Sequence, residues 1–317
     1  MKSPIMSTTF PIIAITGSAG SGISTSSKVF EKIFRQLDIN AEFVHGNSFR
    51  RFPRKQLTEI FSQAEKTGQF ISHFGPEVTL LNRLEGLFRE FARSGTGCVR
   101  EYIESDEQAA TYQQEKGEFS PWVEIPNDTQ LLFYEGQHGG CVEASWSKRI
   151  KDSKTASFTI QKRVKSQAHR DDGVDIAQWV DLLIGIVPNI NLEWIQKINR
   201  SCGITGCSTE DAVNIILRRM PEYINYMTPQ FSLTDINFQR IPLVDTSNPF
   251  IAKELPTEGE CMIIVRFREP QKHDIQSFKN KFPDSFLSRP NTLVLPNSYM
   301  EQAMETICSP IVNKFFE

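Results

Sequence analysis

The sequence predicts an α/β protein with a mostly parallel sheet flanked by helices. Short apolar strands alternate with segments whose apolar residues recur every three or four positions, and this alternation is typical of parallel sheets with helical connections. The first apolar run, at 12–15, passes directly into a glycine-rich turn. Further strand-length apolar runs follow at 41–45, 130–134 and 180–187.

The helices are predicted from helical spacing of apolar side chains and from residues that begin or end a helix. In 24–37 the apolar positions are Val29, Phe30, Ile33, Phe34 and Leu37. Gly68 ends a helix over 54–67, and leucines and phenylalanines form one face of 76–92. The segment 95–122 is polar and predicted to be a loop. Further helices are expected at 192–200, from Ser208 to about 226, and at 299–316.

Three more strands are predicted towards the end of the chain, at 243–246, 262–267 and 292–294. With these elements the 317 residues are expected to form one domain, 1–317, around a sizeable core. The chain has 39% hydrophobic and 23% charged residues, which is ordinary for a globular protein. Its net charge of −3 gives no reason to expect specific binding to nucleic acid or to an anionic membrane.

The apolar runs are short, and the N-terminal residues lack the apolar core of a signal peptide. No membrane span is expected, and a cytoplasmic location is predicted. One segment differs in charge from the rest: 145–170 contains eight lysines and arginines against one aspartate. The sequence leaves two interpretations of the polar insertion at about 145–173. It is either a solvated surface segment or a binding arm for an anionic partner.

The glycine-rich turn has the layout of a phosphate-binding P-loop, G-x-x-x-x-G-K-[ST]. Gly17, Gly20 and Gly22 lack the Cβ atoms that would stop backbone N–H groups, including that of Ser18, from surrounding a phosphate. Ser24 or Thr25 opens the next helix and could hold Mg²⁺ through its hydroxyl. Ile23 occupies the position of the lysine in the motif. The sequence therefore predicts a nucleotide site with Mg²⁺, and a generic strand-to-helix turn is the alternative.

Glu135 directly follows the apolar strand at 130–134. A carboxylate at the end of a strand downstream of a P-loop is the place of a Walker-B group that positions Mg²⁺. The alternative is a carboxylate at a strand end that simply faces solvent.

The longer motifs resemble those of bacterial-type phosphoribulokinases. They lie at 17–25 (GSAGSGIST), 72–77 (SHFGPE), 132–139 (LFYEGQHG), 187–197 (VPNINLEWIQK), 229–240 (PQFSLTDINFQR) and 244–250 (VDTSNPF). The resemblance covers nearly the whole chain except about 144–175, and the loop of that family also lacks the lysine. It implies an adenylate-kinase-like P-loop fold, ATP and Mg²⁺ as cofactors, and ribulose 5-phosphate as the acceptor. It also implies a homo-oligomer and control by nucleotides.

The same resemblance assigns roles to single residues. The loop 17–25 would hold the triphosphate and Glu135 would help to hold Mg²⁺. Lys197 and Arg200 would face the transferred phosphoryl group, and Arg54 would help to bind the sugar phosphate.

Several positions depart from the family pattern. Asn47 and Arg50 stand where the family has the aspartate taken as the catalytic base and a histidine that faces the substrate. An amide cannot accept the proton of the acceptor hydroxyl. Ser201 replaces a second acid, and Glu104 occupies the place of a further histidine, where a carboxylate would repel a sugar phosphate.

Three hypotheses stay open at this point. The chain could be a ribulose-phosphate kinase with a substitute base, or a kinase of the same fold with a different small acceptor. It could also be a silent, nucleotide-binding regulator or scaffold, because general-base assistance is typically worth about 10²–10⁴-fold in rate. The altered acids favour weak or lost transfer to a sugar phosphate.

Overall fold

A computed structural model describes residues 10–17, 23–69, 71–143, 173–251 and 254–317, without the side chains of 23–25, 204 and 205. The strands are β1 (Ile12–Gly17), β2 (Ala41–His45), β3 (Cys98–Val99), β4 (Val123–Glu124), β5 (Leu131–Gly136), β6 (Leu182–Val187), β7 (Ile236–Pro242), β8 (Cys261–Phe267), β9 (Phe286–Arg289) and β10 (Thr292–Pro296). The α-helices are α1 (Ile23–Gln36), α2 (Arg54–Thr67), α3 (Leu81–Ser94), α4 (Asp106–Tyr112), α5 (Ile190–Arg200), α6 (Thr209–Glu222), α7 (Ile275–Asn280) and α8 (Met300–Asn313).

The central sheet has the strand order β2-β5-β1-β6-β7-β8-β10-β9, and β3 pairs separately with β4. Pairs β2/β5 and β6/β7 are parallel, whereas β7/β8, β8/β10 and β10/β9 form an antiparallel edge. Every residue of β1 and of β5 is buried, as expected for strands covered on both faces. The predicted class, a mostly parallel sheet flanked by helices, is confirmed.

The chain divides into two compact units. Unit 1 comprises Met1–Ala14, Asn40–Asp181 and Glu222–Gln230, and unit 2 comprises Ile15–Ile39, Leu182–Pro221 and Phe231–Glu317. In unit 1 the buried face of α3 packs on β5, where the rings of Phe88 and Tyr134 meet edge to face at 5.4 Å. In unit 2 the helices α1 and α8 are joined at the surface by the Lys32–Glu305 ion pair of 2.7 Å.

Several helix ends agree with the sequence prediction. Gly68 ends α2 in the left-handed conformation, with φ of 68°, which a glycine adopts without steric cost. Ser208 Oγ accepts a hydrogen bond from Asp211 N at 3.1 Å and so caps α6. None of the helices in the described ranges combines the length and the hydropathy needed to cross a membrane.

Three local predictions were wrong. The helix expected from 76 begins only at Leu81, because Thr79 pairs with Arg50 and Leu80 N donates to Phe49 O. The expected loop at 95–122 contains α4, which Ser105 and Gln108 hold in a reciprocal capping box. The segment 243–246 is not a strand: Leu243 is 63% exposed, and the strand β7 occupies the residues before it.

Candidate functional site

In unit 1 the parallel strands β2 and β5 end side by side, with His45 opposite Glu135 in the register. The carboxyl ends of parallel strands are where α/β folds place ligand groups. A 3₁₀ turn, Gly46–Phe49, follows β2 directly. A Cβ atom on Gly46 would come within 2.7 Å of Tyr134 Oη, so the turn lies against β5 only because this residue is glycine.

Asn47 and Glu104 form a direct hydrogen bond. Asn47 Nδ2 donates to Glu104 Oε1 at 2.7 Å, and Asn47 N donates to His45 Nδ1 at 3.1 Å. Glu104 is in turn held at the start of α4, because its backbone N–H donates to Gln108 Oε1 at 2.9 Å. At the position where the family has its catalytic base, this chain therefore has an amide that is hydrogen-bonded to a carboxylate.

His45 joins this pair to Glu135. Its Nε2 lies 3.6 Å from Glu135 Oε1. Burial lowers the pKa of His45, and the charge of Glu104 opposes that shift. Since Nδ1 accepts from the backbone, the neutral ring carries its proton on Nε2, towards Glu135.

Two arginines contact Tyr102, and a third holds the turn that precedes them. The Arg50 guanidinium lies 4.9 Å from the centre of the Tyr102 ring, and Arg54 Nε donates to Tyr102 Oη at 3.3 Å. Arg100 donates to Ser48 O at 2.8 Å and to Arg50 O at 2.7 Å. Burial lowers the pKa of Arg100 to about 10, so this arginine is still charged at neutral pH.

Glu135 is 8% exposed and is the second-to-last residue of β5. A carboxylate oxygen is the ligand that Mg²⁺ prefers, so the side chain fits the predicted metal role. Three residues on, His138 is 5% exposed, and its Nε2 donates to Phe74 O at 2.8 Å. Burial lowers the pKa of His138 to about 4, so its ring is neutral.

Two further groups that support this part of unit 1 are not marked by any motif or spacing in the sequence. Glu222, at the end of α6, is buried and accepts from Ser72 Oγ at 2.7 Å and from His73 N. It thereby fixes the start of the 72–77 motif. Arg100 is the second group, and no local pattern marks it because its partners Ser48 and Arg50 are about fifty residues away in sequence.

In unit 2 the strand β1 ends at Gly17, and α1 begins at Ile23. Ser18, Gly20 and Gly22 lie outside the described residues, as do the side chains of Ser24 and Thr25. Their roles stay predictions. The strand-to-helix order on either side of the loop is the context that a P-loop requires.

Lys197 and Arg200 both lie in the last turn of α5, and Ser201 follows that helix directly. Lys197 Nζ is 2.6 Å from Glu193 Oε1, one turn earlier, and the Glu193 side chain is only 3% exposed. The buried carboxylate therefore holds the ammonium group in place. Ser201 begins a single π-helical turn, Ser201–Thr205.

The basic segment 145–170 lies outside the described residues, and its role stays a prediction. A cavity of about 390 Å³ occurs in unit 2 among residues that carry none of the predicted roles. Its lining consists of Phe231, Ser232, Thr234, Arg266, Phe267, Arg268 and Asn291.

Comparisons with known proteins agree with the motifs. The model of the phosphoribulokinase / uridine kinase family matches residues 12–156 and 167–247. The chromosomal phosphoribulokinase of Cupriavidus necator is 45% identical over 313 residues, which are 98% of each chain. A probable phosphoribulokinase of Escherichia coli is 40% identical over 312 residues, again 98% of each chain.

A solved structure shows the same fold. The phosphoribulokinase from Rhodobacter spheroides matches with a TM-score of 0.80 and 37% identity, covering 97% of this chain and 98% of that one. Both the family model and the full-length relatives agree with the resemblance stated from the motifs. The chain therefore belongs to the phosphoribulokinase / uridine kinase family.

Proposed function

We propose that this protein is an ATP-dependent kinase that transfers a phosphoryl group to a hydroxyl of a small phosphorylated acceptor, with ribulose 5-phosphate as the first candidate. The observation that carries the proposal is in unit 1: Arg50 and Arg54 surround Tyr102 beside the Asn47–Glu104 hydrogen bond. Cations that recognise a phosphate next to a group that accepts a proton are what such an acceptor requires. Relatives of full length carry the name phosphoribulokinase.

ATP and Mg²⁺ fit the residues present. The loop 17–25 would hold the phosphates through backbone N–H groups at the start of α1. Glu135 and the hydroxyl of Ser24 or Thr25 would hold Mg²⁺, which supplies charge neutralisation of the phosphate oxygens when it is bound. The nearly buried position of Glu135 keeps its carboxylate in one place.

Lys197 and Arg200 would stabilise negative charge on the transferred phosphoryl group. Positive groups that are already in position cost no reorganisation during the reaction. The 2.6 Å ion pair with Glu193 supports such a fixed position for Lys197. Arg54 would bind the phosphate of the acceptor, and Arg50 would orient its hydroxyl end.

A second candidate is a nucleotide-binding protein with weak or lost transfer activity, acting as a regulator or scaffold. Two replacements favour it: Asn47 at the base position and Ser201 at the position of a second acid. Residues that act as a unit in catalysis lose most of their effect when one of them is missing. In such a regulator, the basic segment 145–170 would be the arm that binds an anionic partner. The third possibility is an active kinase for a different small acceptor.

Coupled ADP release with Mg-ATP separates these functions. Ribulose 5-phosphate and a panel of other phosphorylated or acidic metabolites would be supplied in parallel with an acceptor-free blank. Release above the blank only with ribulose 5-phosphate supports the proposal. Release only with another metabolite identifies a different kinase, and ATP binding without release for any acceptor supports the silent protein.

If the wild type releases no ADP with any acceptor, a variant that restores the family residues at positions 47, 104 and 201 tests the cause. Asn47→Asp/Glu104→His/Ser201→Asp returns all three positions to the family pattern. Gain of ribulose-5-phosphate-dependent release by this variant, from a silent wild type, would show that the replaced side chains alone removed the activity.

A further inference from the structure

The carboxylate missing from position 47 is present one hydrogen bond away. Asn47 Nδ2 lies 2.7 Å from Glu104 Oε1. The orientation of the amide is fixed by this contact, because an ionised carboxylate only accepts hydrogen bonds and so faces the NH₂ group. Glu104 thus lies beside the position to which the resemblance assigns the proton acceptor.

We propose that Glu104, held by Asn47 at 2.7 Å, is the general base of this protein and replaces the carboxylate that the family carries at position 47. The inference rests on the proposed function. Of the three hypotheses drawn from the sequence, it supports the first, a kinase with a substitute base, and it identifies that base as Glu104.

The contacts of Glu104 suit that task. Its backbone N–H donates to Gln108 Oε1, and Ser105 caps α4 immediately after it, so the chain carrying the carboxylate is fixed. One oxygen accepts from Asn47, and a carboxylate has a second oxygen to take a proton. The side chain of Glu104 is exposed, so a substrate hydroxyl can reach it.

Asn47 then acts as a positioning residue. Its backbone N–H is anchored on His45 Nδ1 at 3.1 Å, and its side chain holds Glu104 Oε1. The charged groups that face His45 are Glu104, Glu101 and Arg50. His45 is the last residue of β2, and Arg50 directly follows the turn that contains Asn47.

The proposed reaction transfers the γ-phosphoryl group of ATP to the acceptor and one proton to Glu104. The acceptor hydroxyl oxygen forms a bond to the γ-phosphorus of ATP, and the bond from that phosphorus to the β–γ bridging oxygen breaks. The electron pair of the broken bond leaves with ADP. The hydroxyl proton passes to the Glu104 carboxylate and from there to water after the product has left.

The first experiment compares wild type with Glu104→Gln in coupled ADP release with Mg-ATP and ribulose 5-phosphate. Glutamine keeps the size of the side chain and an oxygen that accepts from Asn47, but it cannot take the proton. We expect kcat to fall by about 10²–10⁴-fold with the acceptor KM changed by less than about threefold. Glu107→Gln, an exposed acid in the first turn of α4, is the matched control and should leave both constants unchanged.

The second experiment moves the carboxylate back. Asn47→Asp/Glu104→Gln keeps a hydrogen-bonded pair but exchanges donor and acceptor, since glutamine now donates to the aspartate. We expect it to recover at least about tenfold of the kcat lost in Glu104→Gln, which a purely structural role of Glu104 would not produce. Thermal melting of each variant shows that it is folded.

Four results would overturn the inference. A Glu104→Gln protein that keeps kcat within about threefold excludes the base role, and a loss confined to KM makes Glu104 an acceptor-binding residue only. A wild type that binds Mg-ATP and ribulose 5-phosphate in calorimetry without transfer shows that Glu104 is no competent base. A wild type that binds Mg-ATP but not ribulose 5-phosphate removes the proposed acceptor, and the inference falls with it.

Discussion

Lys197 lies one helical turn after Glu193, and its Nζ is 2.6 Å from the buried Glu193 Oε1. The lysine side chain is 41% exposed, whereas that of the glutamate is 3% exposed. The pair therefore joins a carboxylate that water hardly reaches to an ammonium group that remains available to a ligand. This arrangement gives Glu193 a structural role and keeps the Lys197 ammonium group in a fixed, partly exposed position.

Replacing Lys197 should lower both stability and activity. Lys197→Met leaves the buried carboxylate of Glu193 without its partner, which costs about 1–3 kcal/mol of unfolding free energy. It also removes a proposed cation from the transition state, so kcat should fall by about 10²-fold or more. Urea unfolding and coupled ADP release measure the two effects.

The double variant Glu193→Gln/Lys197→Met separates these effects, because it neutralises the buried side chain but does not restore the cation. Its stability should recover while kcat stays low. Lys55→Met is a control for a surface pair, since Lys55 and Glu115 are 3.6 Å apart and both largely exposed, and it should change stability by less than about 1 kcal/mol. Recovery of kcat in the double variant would show that Lys197 acts only through Glu193.

Placing an aspartate alone at position 47 should lower the activity with ribulose 5-phosphate. Asn47→Asp places a second carboxylate about one hydrogen-bond length from Glu104, and two carboxylates that close cannot both ionise freely. We expect kcat with ribulose 5-phosphate to fall below that of wild type. Asn47→Asp/Glu104→His removes the repulsion and should exceed the single variant by about tenfold or more. A single variant that is faster than wild type would contradict the pairing.

A side chain at Gly46 should disturb the turn that carries Asn47. The Cβ of Gly46→Ala would come within 2.7 Å of Tyr134 Oη and 3.0 Å of Gly136 Cα. Such crowding costs about 1–3 kcal/mol, and Tyr134→Phe should relieve part of it. Gly86→Ala, within α3 and with no atom within 4 Å of its Cβ, should instead stabilise the protein by about 0.5–1 kcal/mol. Equal effects of the two alanines in thermal unfolding would exclude the steric account.

Local features of the sequence were sufficient for much of the fold. The strand before Gly17, the end of α2 at Gly68 and the cap at Ser208 each depend on neighbouring residues, so a short window of sequence contains the cause. The misplaced strand at 243–246 shows the limit of that approach. Leu243 and Val244 are apolar but exposed, and only the pairing of β7 with β6 and β8 decides which residues form the strand.

The candidate site was less accessible to sequence reasoning. Glu222 bonds Ser72 across 150 residues of sequence, and Asn47 bonds Glu104 across 57. No periodicity or spacing encodes such contacts. Considered separately, Asn47 and Glu104 are two positions at which the residue of the family is lost. Only their contact in the fold leads to the proposal that the role of the base has moved from position 47 to Glu104.

The glycine-rich loop can be tested independently of the acceptor. Gly22→Val adds a branched side chain where the backbone is predicted to surround a phosphate, so binding of Mg-ATP should be lost in calorimetry. Gly259→Val is the control, because its Cβ meets no atom within 4 Å. Unchanged ATP affinity in a folded Gly22→Val protein would mean that the loop is only a structural turn.

Stability should fall in mild acid because His138 is buried as a neutral ring. Burial lowers its pKa to about 4, whereas the unfolded chain takes up the proton near pH 6.5. Between these values the unfolded state binds more protons than the folded state, so unfolding free energy decreases as pH falls, by about 3 kcal/mol at most. His138→Gln keeps a donor to Phe74 O but does not titrate. His45 and His273, whose pKa values are also lowered by burial, act in both proteins and cancel in the difference. Measured by urea unfolding from pH 7 to pH 4, the free energy of unfolding should therefore depend less steeply on pH in the variant than in the wild type. Parallel curves would show that His138 does not contribute to the pH dependence.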